Sequence, residues 1–171
     1  LALALLGGMI GGARVEIPLG PIPFILSDFF VLLAGLLLGR LGIVVTLTYL
    51  LLGAMGIPVF AGGNGGWERF VGPTGGYLVG YALATIWIGM VVERIPRTWI
   101  RLLALTASGQ ALIFLPGVLG LYFLTDLNWG ETVQAGLLDF AFPIAFKMIL
   151  GATLAYAYHR FATESVSPKL N

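Results

Sequence analysis

The chain has 171 residues, of which 58% are hydrophobic and 10% are charged, whereas a soluble domain carries about 25% charged residues. So few charges cannot cover a globule with a hydrated surface, and the composition therefore predicts an integral membrane protein. The net charge of +1 offers no basic surface for nucleic acid, and a chain with no cysteine and one histidine, His159, has no disulfide and too few ligands for a zinc site.

Six apolar runs follow one another along the chain, and each is expected to be a transmembrane helix because a single span in lipid can satisfy its backbone only as a helix. They are residues 1–13, 24–39, 41–57, 77–92, 99–124 and 132–158. The first run is shorter than the roughly 20 residues of a span, and the chain opens at Leu1. We therefore expect a first helix that lacks its beginning, in preference to a signal peptide. Residues 1–161 are predicted to form one transmembrane domain, followed by a polar cytoplasmic tail at 162–171.

Small residues in the first run predict a close helix contact. Ala4, Gly8 and Gly12 recur at four-residue spacing, which makes a flat strip that another helix can approach closely. The spacing leaves open whether that helix belongs to this chain or to a separate subunit.

Two connections between the runs have unusual compositions. Residues 14–23 contain three prolines and are expected to be extended and stiff. Residues 58–76 contain two glycine-rich blocks, 62–66 and 72–76, which cannot form a stable helix. This segment is either a flexible linker or a lid over a ligand, and its aromatic residues favour the lid. The residues expected to form the lid are Gly62, Gly63, Gly65, Gly66, Trp67 and Thr74.

The basic residues predict the orientation. One side of the predicted bundle carries six of them and the other side carries two, Arg14 and Arg69. The six are Arg40, Arg94, Arg97, Arg101, Arg160 and Lys169. Cytoplasmic loops hold the excess of basic residues, so both termini are expected in the cytoplasm, with the glycine-rich and proline-rich loops facing outward.

Three ionisable residues lie inside the apolar runs: Asp28, Asp139 and Lys147. A charge in hydrocarbon costs at least about 2.5 kcal/mol, so these side chains are expected to face a protein interior or a watery cavity. Asp139 and Lys147 lie eight residues apart, with Pro143 between them. They are either a structural pair across a kink or parts of an outward-opening cavity with Lys147 at its floor. Gln110 is expected only to bond to a neighbouring helix.

The sequence also predicts that the chain is not an enzyme and needs no cofactor. It has no Gly-x-x-x-x-Gly-Lys-Ser/Thr phosphate loop, so it is not expected to hydrolyse ATP by that route. It also offers no plausible set of serine, histidine and aspartate for nucleophilic catalysis.

Several segments resemble the BioY family. They include Ile17-Pro-Leu-Gly-Pro-Ile-Pro-Phe24, residues 31–39, residues 49–63 and Gly72-Pro-Thr-Gly-Gly-Tyr77. Members of that family are biotin-binding S components of energy-coupling factor (ECF) transporters. The resemblance implies an all-α, six-helix S-component bundle, multi-pass in the bacterial cell membrane, that captures biotin from outside. It also implies a transmembrane coupling (T) subunit and two cytoplasmic ATPases as partners, with Ala4, Gly8 and Gly12 as the docking face.

The sequence departs from the family pattern at the expected ligand site. The family usually has Pro-Gly-Asp-x-x-Lys in the last helix; here Lys147 is kept and Ile144 stands at the Asp position. Asp28 stands where the family usually has a neutral residue. If Asp28 or Asp139 replaces the missing carboxylate, biotin remains the expected ligand; otherwise a cyclic carboxylate with a less polar ring, such as lipoate, is favoured. A stand-alone membrane facilitator is the remaining alternative. The residues expected to bind ligand are Lys147, Asn64, Asp28, Asp139 and Tyr77.

Overall fold

The computed structural model describes residues 1–18 and 23–166, and this part of the chain is almost entirely helical. The helices are α1 (Ala2–Arg14), α2 (Ser27–Leu38), α3 (Arg40–Ala54), α4 (Glu68–Val71), α5 (Gly75–Val91), α6 (Trp99–Leu124), α7 (Trp129–Gly136) and α8 (Ala141–Val166). Short 3-10 turns occupy Ala61–Gly63 and Leu138–Phe140. Two short strands, β1 (Ile17–Pro18) and β2 (Pro23–Phe24), pair antiparallel, with Ile17 opposite Phe24.

The apolar runs predicted the long helices well, with one exception. The fifth run coincides with α6, and the ends of the first four runs differ from α1, α2, α3 and α5 by three residues or fewer. Two helical stretches of the described chain are long and apolar enough to cross a membrane, Trp99–Leu124 with 26 residues and Trp129–Ala162 with 34. The other four long helices are apolar but shorter.

The prediction that residues 132–158 form one helix is wrong. The chain leaves helical geometry at Leu137, where φ is −141° and ψ is −55°, and α8 starts only at Ala141. Pro143 explains the break, because in a continuous helix its missing N–H would leave the Asp139 carbonyl without a donor. In the first turn of α8 the missing N–H costs nothing. Pro143 therefore does not kink a helix that carries both Asp139 and Lys147.

Glycines let the central helices approach one another closely. A Cβ on Gly76 would collide with the carbonyl oxygen of Pro116, and one on Gly42 would collide with that of Ala34. The first contact brings α5 against α6, and the second brings α3 against α2. This close packing surrounds a buried apolar core that is built mainly from α2, α3, α5 and α6.

Polar contacts join several helix ends at one end of the bundle. The backbone N–H of Arg40 donates to Glu93, and the two side chains form an ion pair at 3.1 Å, which ties the α2–α3 corner to the residues after α5. The His159 ring lies 2.8 Å from the carbonyl oxygen of Leu36, which holds the last turns of α8 at the same end. Residues 162–166 of the predicted tail continue α8, whereas Lys169 lies outside the described residues.

Candidate functional site

A cavity of about 100 Å³ lies at the opposite end of the bundle from the Arg40–Glu93 pair. Residues from α2, α3, α5, α6 and α8 line it together with residues of the 58–76 connection. Aromatic side chains form a large part of its wall: Phe24, Tyr49, Phe60, Tyr77, Tyr81, Phe114 and Phe140. Its polar side chains include Asp28, Arg69, Thr74 and Lys147. An apolar wall with a few converging polar groups is typical of a small-molecule site.

An ion pair lies at the buried side of this cavity. The Lys147 ammonium donates to Asp28 Oδ1 at 2.7 Å and to the Ile25 carbonyl oxygen at 2.7 Å. The nitrogen also lies 4.0 Å from the centre of the Phe24 ring. Both charged residues are almost fully buried, with 5% of Lys147 and 6% of Asp28 exposed. The structure thus gives Lys147 partners within the chain, and its direct contact with a ligand stays a prediction.

Gln110 extends this network from α6. Its Nε2 donates to Asp28 Oδ2 at 3.3 Å, so Asp28 accepts a hydrogen bond on each oxygen. Gln110 Oε1 is the one enclosed polar side-chain atom that has no partner in the described part of the chain. The expectation that Gln110 bonds to a neighbouring helix is confirmed.

The two predicted carboxylate candidates have different positions. Asp28 and Ile144 both line the cavity beside Lys147. Asp139 is exposed in the 3-10 turn before α8, where it accepts a hydrogen bond from Gln134, and it is not among the described residues that line the cavity. The proposed structural pair of Asp139 with Lys147 is wrong, because Lys147 pairs with Asp28.

The glycine-rich connection is a folded cap and not an open linker. Phe60 is buried and packs edge-on against Tyr49 and Phe70, with ring centres 5.5 and 5.7 Å apart. Trp67 stacks on Phe70 at 5.2 Å. At the rim, the Arg14 side chain donates to the Pro58 carbonyl oxygen at 2.9 Å and so ties the cap to the end of α1.

The cap residues predicted from sequence differ in whether they line the cavity. Thr74 lines the cavity, as do Phe60, Ala61 and Arg69 of the same connection. Asn64 is not a lining residue; its amide donates to the Ala61 carbonyl oxygen at 2.7 Å and shapes the turn. The other predicted cap residues lie outside the lining as well: Gly62, Gly63, Gly65, Gly66 and Trp67. Gly62, Gly63 and Gly66 have positive φ angles of 69°, 68° and 106°, which explains the choice of glycine.

Tyr77, which is predicted to bind ligand, lines the cavity, and it also fixes the packing of the wall. Its hydroxyl donates to the Gly136 carbonyl oxygen at 2.8 Å. That bond satisfies a carbonyl at the end of α7 and holds this end against α5.

Comparison with known proteins identifies the family. The model of the BioY family matches residues 1–164. The chain belongs to the BioY family. Its relatives include the biotin transporter BioY of Thermotoga maritima, which is 37% identical over 91% of this chain and 92% of the relative. The probable biotin transporter BioY of Pyrococcus horikoshii is 38% identical over 84% and 85% of the two chains.

A solved structure shows the same architecture as this BioY chain. It is the 2.1 Å crystal structure of the S-component for biotin from an ECF-type ABC transporter. The two chains superpose with a TM-score of 0.84 at 26% identity, and the match covers 93% of this chain and 88% of the other. The all-helical S-component fold predicted from the sequence is therefore confirmed.

Sequence reasoning missed several lining residues of this BioY chain. In the sequence Arg69 bears only on orientation, whereas in the structure it lines the cavity and makes no ion pair within the described residues. Tyr81 was also missed. The spacing of Tyr77, Leu78 and Tyr81 by one and three residues places them on one face of a helix, and this signal could have found Tyr81.

The strip of small residues on α1 divides between two environments. A Cβ on Gly8 would collide with the Phe30 ring, and one on Gly12 would lie 2.8 Å from the backbone of Leu26. Both glycines therefore pack against the start of α2 in this chain, and they are not free for a separate subunit. Ala4 is exposed, as are Gly7 and Gly11.

Proposed function

We propose that this chain is the substrate-binding subunit of an ECF-type importer and that it captures biotin from outside the cell. The observation that carries the proposal is the buried Asp28–Lys147 pair beside an aromatic cavity with a folded cap. The family membership, the biotin transporters among the relatives and the S-component structure support it. A transport role leaves the chain with binding and no catalytic step.

The charges in the cavity favour a ligand with a neutral polar head. Asp28 and Lys147 neutralise each other at 2.7 Å, so the buried side of the cavity carries no net charge. A fully charged head would have to be desolvated there without a counter-ion. The ureido ring of biotin is neutral, and one of its two N–H groups can donate to a remaining lone pair of the Asp28 carboxylate. Lipoate has no such donors in its ring and fits this part of the cavity less well.

Arg69 supplies the opposite end of the site. Its side chain is exposed and reaches the cavity from α4 in the cap. A guanidinium there suits the carboxylate of the biotin side chain, which would remain near water while the ring enters the aromatic cavity. The two ends together select a neutral ring joined to an acid.

The long helices support a six-span placement in the bacterial cytoplasmic membrane. Four of them are short for a span, and tilting or local thinning of the bilayer accommodates such helices. Arg40 and the residues after α5, which include Arg94 and Arg97, lie at the end of the bundle away from the cavity. With this end in the cytoplasm, both chain termini are cytoplasmic and the cap faces outward. Residues 1–161 then act as one transmembrane domain.

Energy for uptake would come from partner subunits. The proposed partners are a transmembrane coupling subunit and two cytoplasmic ATPases, which the resemblance to the BioY family implies; the matching structure is an S-component from an ECF-type ABC transporter. The exposed small residues of α1, Ala4, Gly7 and Gly11, offer a face that a transmembrane partner can approach closely.

The test is ligand binding by the purified protein in detergent without ATP. Biotin is expected to bind with a dissociation constant below about 1 μM, and lipoate is expected to bind more weakly. Lys147→Ala should weaken biotin binding by about 2 kcal/mol or more, because Asp28 loses its charged hydrogen bond. Arg94→Ala, at the far end of the bundle, is the matched control and should bind like wild type. Failure of the wild-type protein to bind biotin would contradict the proposal, and mass spectrometry of copurifying molecules would then identify the ligand.

A further inference from the structure

The three tyrosines of the cavity wall differ in what their hydroxyl groups do. The Tyr77 hydroxyl donates to the Gly136 carbonyl oxygen at 2.8 Å. The Tyr49 hydroxyl interacts with the side chain of Ser27. The Tyr81 hydroxyl makes no hydrogen bond to any described residue, although only 3% of Tyr81 is exposed. Of the three hydroxyl groups, that of Tyr81 is therefore the one not engaged by a described residue.

The Tyr81 hydroxyl faces the cavity. Gln110 Oε1 is the single fully enclosed side-chain polar atom without a partner among the described residues. The Tyr81 oxygen also has no partner, but it is not fully enclosed. It therefore borders open space. Because Tyr81 lines the cavity and is otherwise buried, this open space is the cavity itself.

The charged groups beside Tyr81 offer a ligand an acceptor but no donor that is free of other contacts. Asp28 lines the same cavity as Tyr81 and, as a carboxylate, can only accept hydrogen bonds. Lys147 directs its ammonium to Asp28, to the Ile25 carbonyl oxygen and to the face of Phe24. A ureido ring that gives one N–H group to Asp28 also brings a carbonyl oxygen, and this oxygen needs a donor that is not already engaged.

We propose that the Tyr81 hydroxyl donates a hydrogen bond to the carbonyl of the ligand's polar ring and so helps to determine specificity. This inference rests on the proposed function, since it assumes a neutral ring with N–H and carbonyl groups at Asp28. Tyr81 and Asp28 then contact neighbouring groups of the same ring, Tyr81 as the donor to the carbonyl and Asp28 as the acceptor of an N–H group. A ring without a carbonyl gains nothing from the hydroxyl.

The test compares Tyr81→Phe with Tyr77→Phe. The second variant removes the same atom from a tyrosine whose hydroxyl is already hydrogen-bonded within the protein. Biotin affinity is measured by calorimetric titration in detergent, and thermal stability is measured without ligand. Tyr81→Phe should weaken biotin binding about five- to tenfold, the effect of one neutral hydrogen bond. Its unliganded melting temperature should stay within about 2 °C of wild type, because no bond within the protein is lost. Tyr77→Phe should lower the melting temperature, because the bond to Gly136 is lost.

The outcomes separate this inference from the proposed function. Unchanged biotin affinity in Tyr81→Phe would overturn the inference and leave the proposed function standing. A fall in the unliganded melting temperature of Tyr81→Phe to match that of Tyr77→Phe would also overturn it, since the hydroxyl would then be structural. Absence of biotin binding by the wild-type protein would overturn both.

Discussion

The Asp28–Lys147 pair should stabilise the fold. Comparing a single variant with a double variant separates this contribution from the role of the pair in ligand binding. Asp28→Ala leaves the Lys147 ammonium buried with only the Ile25 carbonyl and the Phe24 ring as partners. Breaking a buried ion pair by removing one partner costs about 3–5 kcal/mol. Replacing both residues, as Asp28→Leu with Lys147→Met, removes both buried charges and is nearly neutral by the same argument. The double variant still loses the bond from Gln110, which costs about 1 kcal/mol.

Thermal unfolding in detergent without ligand measures this difference. For a chain of this length 1 kcal/mol corresponds to about 2–4 °C, so Asp28→Ala should lower the melting temperature by roughly 6 °C or more. The double variant should recover most of that loss but should not bind biotin, because the carboxylate is missing. Arg40→Ala is the control: its ion pair with Glu93 is on the surface, and such pairs contribute about 0–1 kcal/mol.

Three results would each contradict part of this prediction. If Asp28→Ala melts like Arg40→Ala, the buried pair does not stabilise the fold. If the double variant melts as low as the single one, the loss does not come from the uncompensated Lys147 charge. Biotin binding by the double variant would remove Asp28 from the ligand site.

Three further predictions concern the cap and the network. Arg69→Gln should weaken biotin binding about tenfold but leave an amide derivative of biotin unaffected, and an equal loss for both ligands in a titration would exclude a carboxylate contact. Gly53→Ala should lower the melting temperature by roughly 3 °C or more, because its methyl group collides with the buried Phe60 ring; Gly11→Ala, which has open space around it, should not. Gln110→Leu should weaken biotin binding a few-fold, because Asp28 Oδ2 loses its donor, and affinity equal to wild type would show that Gln110 does not position Asp28.

Local sequence patterns predicted the helices because each apolar run satisfies its own backbone. The ends of α6 followed directly from the change in polarity at Trp99 and Leu124. The break before α8 depended on a different effect, the missing N–H of Pro143, and hydrophobicity does not report that effect. The position of Pro143 midway between Asp139 and Lys147 instead suggests a kink inside one helix.

The site was harder to predict because its contacts join distant parts of the chain. Asp28 and Lys147 are separated by 119 positions, and a pattern along one helix favours the nearer Asp139 as the partner. Arg69 lies in a segment with many glycines, so only its folded position brings it to the cavity. The identities of the candidate residues could be read from the sequence, but their pairing required the packing of α2 against α8.

The position of the carboxylate determines whether the geometry of the proposed ligand site depends on the packing of α2 against α8. With an acid at position 144, carboxylate and ammonium would lie three residues apart on one helix, and their geometry would be fixed within that helix. In this chain Ile144 leaves that position apolar, and Asp28 joins α2 to α8 through the ion pair. Because Ile25 and Asp28 both contact Lys147, any shift of α2 relative to α8 would move the carboxylate that we propose as the ligand's acceptor. The proposed site therefore links ligand binding to the contact between these two helices.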